Sequence, residues 1–139
     1  MKRVVLLFAI LLPFCAIAEE APLSDISELR WQNRIILMLA NQLDEDAGQT
    51  LQHHSPDIID RDIIWFIFDD HSTQTNYPGL LADDFRSNTL ARFLNLERGV
   101  LLLGKDGGLK AVLPSLNLHT LFNTIDAMPM RQYELQNRV

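Results

Sequence analysis

Two apolar runs stand out along the chain, Ile35-Ile36-Leu37-Met38-Leu39-Ala40 and Ile63-Ile64-Trp65-Phe66-Ile67-Phe68, each bounded by polar residues. Such runs are short for a helix and lack a polar face, so they predict strands covered on both sides, over residues 33–40 and 62–68. Asp44-Glu45-Asp46 puts negative charge where a helix N-terminus welcomes it, which predicts a helix over residues 47–54, stopped by Ser55-Pro56. Asp69-Asp70-His71-Ser72 closes the second strand. Beyond Tyr77-Pro78-Gly79, the residues Leu81, Phe85, Leu90, Phe93 and Leu94 fall on a helical stripe and predict a helix over residues 81–94. Residues 99–103 and 109–113 predict two further strands. They are joined as a hairpin through Gly104-Lys105-Asp106-Gly107-Gly108, because a tight turn needs residues that tolerate positive φ. Asn117 caps a last helix through Ile125, with Leu118, Leu121, Phe122 and Ile125 facing the core. Met128-Pro129-Met130 then breaks the line, and residues 131–139 predict a short helix or ordered extension. The order β-α-β-α-β-β-α predicts a single α/β domain of parallel strands with covering helices, an antiparallel hairpin and a closing helix.

The first 18 residues stand apart from this pattern. They hold 15 apolar residues, 14 of them behind Lys2 and Arg3, with an apolar run from Val4 to Leu12 and Ala16-Ile17-Ala18 as a small-x-small cleavage site. That is the anatomy of a signal peptide, so residues 1–18 are expected to be removed, the mature chain to begin at Glu19, and the protein to be exported, periplasmic or secreted. An uncleaved anchor would need about 20 apolar residues. A lipid attached at Cys15 would want small residues upstream, where Pro13 and Phe14 stand. Residues 19–23 then read as a short polar arm. Cleavage removes the only cysteine, Cys15, which excludes disulfides, thiol redox chemistry and cysteine metal sites from the mature chain. It also takes the formal charge from −6 to −8, against a nucleic-acid or anionic-membrane partner.

Four motifs carry a family resemblance: Leu29-Arg30-Trp31-Gln32-Asn33-Arg34, Arg61-Asp62, Gly104-Lys105-Asp106-Gly107-Gly108-Leu109-Lys110, and Ile125-Asp126-Ala127-Met128-Pro129-Met130-Arg131. Over about residues 24–135 the chain resembles the secreted family known as domain of unknown function 4174, a peroxiredoxin-related branch of the thioredoxin-like fold, whose core has the element order given above. The resemblance implies a thioredoxin-like fold and an exported location, and brings no established activity. Relatives in extracellular-matrix proteins of animals imply an interaction role. In peroxiredoxins the arginine at the position of Arg98 helps to activate the peroxidatic cysteine, which this chain lacks. Gly99 stands where redox-active thioredoxins have a cis-proline, and Asn41-Gln42-Leu43-Asp44 where the cysteines should lie. A thiol oxidoreductase or peroxidase is therefore excluded, and the expected domain is non-redox.

Arg34, Arg61, Arg98 and Arg131 all belong to these motifs, and arginine forms rigid bidentate pairs with carboxylates, for which Asp62, Asp126 and Glu134 are available. One reading is a structural network fixing strand ends and the Met-Pro-Met turn. The other is a site that takes a carboxylate or another anion, with Lys105 and the glycine amides of its turn contributing and Trp31, Tyr77, Met128 and Met130 lining an apolar groove beside it. The same four side chains also read as ordinary packing residues. Asp69, Asp70 and His71 lie at a strand's carboxyl end, where open α/β sheets place ligands, and form a candidate divalent-cation site with Asp83 or Asp84 as recruits. His53 and His54 point apart on a helix. His119 and the serines show no triad pattern. The glycine-rich turn lacks the spacing of a phosphate-binding loop, and no cofactor is expected. The expectation is thus a non-redox binding or interaction module for an unidentified protein or small anionic ligand. Its rival is an enzyme with metal or acid/base chemistry at Asp69, Asp70, His71 and Arg98.

Overall fold

The computed structural model describes residues 19–39, 46–93 and 99–138. The leader at residues 1–18, the loop Asn41-Gln42-Leu43-Asp44, Leu94 and Arg98 lie outside the described residues. Five strands, β1 (Arg34–Leu39), β2 (Ile63–Phe68), β3 (Thr73–Thr75), β4 (Val100–Leu103) and β5 (Leu109–Leu113), form one sheet in the order β3-β2-β1-β4-β5. β1 and β2 run parallel, whereas β3, β4 and β5 are each antiparallel to their neighbours. The helices are α1 (Ala47–His53), α2 (Ser55–Asp60), α3 (Phe85–Arg92), α4 (Leu118–Asp126) and α5 (Pro129–Gln136), with a short 3-10 turn at Ile26–Leu29.

Successive side chains of a strand point to opposite faces, so an unbroken apolar strand feeds two cores at once. Ile36, Met38, Trp65, Ile67, Val100 and Leu102 face one way, against Leu51 of α1, Ile58 of α2 and Leu121 and Ile125 of α4. Ile35, Leu37, Phe66, Phe68, Leu101 and Leu103 face the other, against Ile26, Leu29 and Phe85. The chain is therefore a mixed α/β sheet with a layer on each face. Around Gly107, at φ +80°, the hairpin turn leaves no room for a side chain, since a Cβ there would lie 2.5 Å from Arg30 Nε.

Four expectations change. Ser55-Pro56 opens a second helix instead of only ending the first: proline in the first turn removes an N–H that has no intrahelical acceptor, and α2 continues to Asp60. The helix expected over residues 81–94 begins at Phe85, because Leu81 is drawn into a parallel bridge with Leu23. Leu23 is consequently no part of a polar arm: it is 3% exposed, and its backbone bonds to Leu80 and Ala82. Trp31 sits at φ +66° and is 67% exposed, so it is neither core nor groove wall. The structure also adds β3 and the turn at Ile26–Leu29. That turn starts at a capping box in which Asp25 accepts from Ser27 and Glu28 reaches back to the Asp25 amide.

Candidate functional site

Parallel pairing brings the starts of β1 and β2 side by side, with Arg34 opposite Ile63. Antiparallel pairing of Ile35 with Leu103 carries the β4–β5 turn to the same end, and α4 finishes there at Asp126. Arg34, Arg61, Lys105 and Arg131 are thereby gathered into one cluster from four distant segments. Arg34 is 1% exposed, and its two Nη atoms donate to Glu134 at 3.2 and 3.3 Å and to the Arg61 carbonyl at 3.0 Å. Arg131, 2% exposed, donates to the Asp60 side chain at 2.6 Å and to Asp126 at 3.2 Å. Arg61 makes a bidentate pair with Asp126 at 3.0 and 2.8 Å and lies 4.4 Å over the Phe122 ring. Lys105 Nζ bridges Asp62 at 2.8 Å and Glu134 at 2.7 Å, and Arg138 closes on Asp60 at 2.6 Å.

The electrostatics follow from that pairing. Burial opposes the charged form of Glu134, but the bonds from Lys105 and Arg34 outweigh it and hold the carboxyl below its usual value. Asp126 is lowered chiefly by the hydrogen bond from Arg61, and Asp60 by those from Arg131 and Arg138. Burial pulls Arg131 down, and the bonds to Asp60 and Asp126 more than restore it. Two cations this deep are tenable only because each is matched by carboxylates.

A cleft of about 500 Å³ opens beside the cluster, between the β4–β5 turn and the junction of α4 with α5. Its walls carry Arg34, Lys105, Lys110 and Asp106 on one side and Ala127, Met128, Pro129 and Met130 on the other. Three cations against one carboxylate make this lining basic on a chain whose formal charge is −6. Of the four groove residues named from the sequence, Met128 and Met130 line the cleft. Tyr77 packs instead against the opposite core with Leu23 and Phe85. The turn amide of Gly108 is taken by Asp106 Oδ1 at 2.9 Å, and Lys110 pairs with the same side chain at 2.9 Å.

Asp69, Asp70 and His71 behave differently. Asp69 accepts from the His71 amide at 2.8 Å and from the Ser72 amide and hydroxyl at 2.5 Å each, which lowers its carboxyl to about 2. Arg86 donates to the Ser72 and Asp69 carbonyls. Both Asp69 oxygens thus close the β2–β3 turn, and among the described residues no group of three or more His, Cys, Asp or Glu side chains could hold a metal ion. His53 and His54 meet edge to face at 5.5 Å over a shallow hollow with Asp46, Gln49 and Thr50, and His119 is exposed within 3.4 Å of Asn123. No helix among the described residues is long and apolar enough to cross a membrane.

Asp57, Asp60 and Arg138 belong to the cluster without having been read from the sequence, as does Lys110 to the cleft. The family model described as domain of unknown function (DUF4174) matches residues 25–134. Neither the curated proteins nor the solved structures contain a match.

Proposed function

The chain belongs to the DUF4174 family, and from that premise we propose that it is an exported, non-redox binding module of thioredoxin-like fold that holds a small anionic ligand or an acidic group of a partner in the cleft beside the arginine cluster. The order β2-β1-β4-β5, with a parallel pair followed by an antiparallel hairpin, supports the thioredoxin-like reading, and β3 is then an added edge strand. The basic start, apolar run and small-x-small end of residues 1–18, read as a cleavable leader, support export. The single cysteine at position 15 supports a role without thiol chemistry.

The observation that carries the binding reading is the cleft's lining, with three cations facing an apolar wall on an acidic chain. The cluster behind it is rigid, since every arginine in it is tied to a carboxylate from another part of the chain. Rigid walls lower the ordering cost of binding. The test is the rise in melting temperature across a panel of organic and inorganic anions, measured on the wild type and on Lys110→Met. Stabilisation that the variant loses supports the reading. Stabilisation the variant keeps in full, or none with any anion, overturns it.

A further inference from the structure

Resting on that cleft, we propose that its ligand is a monocarboxylate with an apolar tail, the carboxylate held by Arg34, Lys110 and the start of α5, and the tail laid along Met128 and Met130. Three independent observations converge there. Arg34 Nε is buried and has no hydrogen-bond partner, although both Nη atoms of the same side chain are engaged, so a lining cation keeps one donor in reserve. A buried unsatisfied donor costs about 1–3 kcal/mol, a deficit that an incoming acceptor removes. The second is α5, whose eight residues begin at Pro129 and whose N-cap, Met128, makes no side-chain cap, leaving the first-turn amides that follow Pro129 and the positive end of the helix at the cleft wall. The third is Lys110, whose partner Asp106 is four residues away and exposed, a weak pair that a ligand can exchange.

The charge count selects one negative charge. Arg34 and Lys105 are matched by Glu134 and Asp62, so Lys110, paired only with the exposed Asp106, is the one lining cation whose partner a single negative charge can replace. Glu134 also shows which group these cations accept, because Arg34 and Lys105 already grip its carboxylate. The opposite wall selects the remainder of the molecule. Met128 and Met130 are unbranched and adaptable, Met130 is 39% exposed, and an inorganic anion would leave that surface uncovered.

The experiment is an NMR titration of the protein labelled at its methionine methyls and backbone amides, using acetate, octanoate, octylamine and sulfate. Octanoate is expected to shift the Met128 and Met130 methyls and to bind at least about ten-fold tighter than acetate, because its extra methylenes leave water. Lys110→Met, at an exposed position, is expected to weaken octanoate about five-fold with an unchanged amide spectrum elsewhere. Equal binding of acetate and octanoate, or a preference for sulfate, overturns the proposed ligand class while leaving an anion-binding cleft. Octylamine binding as tightly as octanoate overturns the charge selection. An unweakened Lys110→Met overturns the placement of the carboxylate. If none of the four probes moves the Met128 or Met130 signals, the cleft itself falls with the inference.

Discussion

The two ends of the parallel strand pair use the same kinds of residue for opposite purposes. At the carboxyl end of β2, Asp69 is satisfied by His71 and Ser72, two and three positions away. At the amino end, Glu134 reaches Arg34 across 100 positions, Arg131 reaches Asp60 across 71, and Arg61 reaches Asp126 across 65. A carboxylate satisfied by its neighbours shapes a turn and constrains little else. One satisfied from the far end of the chain ties the last helix to the first strand, and its removal strands a buried cation. The contrast also explains where the cleft lies. A turn that folds its carboxylate inward leaves nothing for a ligand, whereas a clasp assembled from separate segments leaves a seam between them.

This contrast can be broken most forcefully at Arg131. Arg131→Met is expected to lower stability by about 2–3 kcal/mol in urea unfolding, since Asp60 and Asp126 lose their shared buried partner and keep only Arg138 and Arg61. Glu134→Gln comes next, at about 1–3 kcal/mol, because Arg34 stays buried with weaker acceptors and Lys105 keeps Asp62. Acidification probes the same clasp without mutation. Asp60, Asp126 and Glu134 have folded values below their ordinary 3.8 and 4.5. Their stabilisation is therefore complete above those ordinary values and is lost as the pH falls through the lower, folded ones. A melting curve series should show this acid limb in the wild type, and a shallower one in Arg131→Met. The smallest effect is expected from Asp69→Asn. It should speed amide exchange at His71 and Ser72 and leave the exchange of β1 and β4 unchanged, because its bonds are local and exposed. Comparable losses from Asp69→Asn and Arg131→Met would erase the distinction between the two ends.

The legible part of the fold is the part whose signal is local. β1, β2, β4, β5 and α4 each announce themselves by an apolar run or stripe, and the side chain of Asn117 accepts from the Thr120 amide where a cap was read. β3 was invisible because Thr73-Gln74-Thr75 is polar and pairs only through backbone bonds along Phe66, Ile67 and Phe68. Leu23 was hidden by its acidic neighbours, and Ser55-Pro56 is ambiguous because proline suits the first turn of a helix as well as the residue after one. At the site, Arg34, Arg61, Arg131, Lys105 and the carboxylates Asp62, Asp126 and Glu134 could be named from motif and charge. Their convergence could not, since it depends on which strand ends the sheet order brings together. Asp57 and Asp60 lie in α2 and Arg138 beyond α5, where charged residues are ordinarily solvated and spacing alone marks none of them.

The separation between Arg34 and Glu134 has a meaning for a chain made from one end to the other. β1 appears early, with a guanidinium that the finished molecule buries, yet its carboxylate partner emerges 100 residues later. A chain truncated before α5 is expected to carry that unmatched charge and to be cut faster by proteases than the whole domain. The clasp thus makes closure of the domain depend on α5, the element that supplies Glu134.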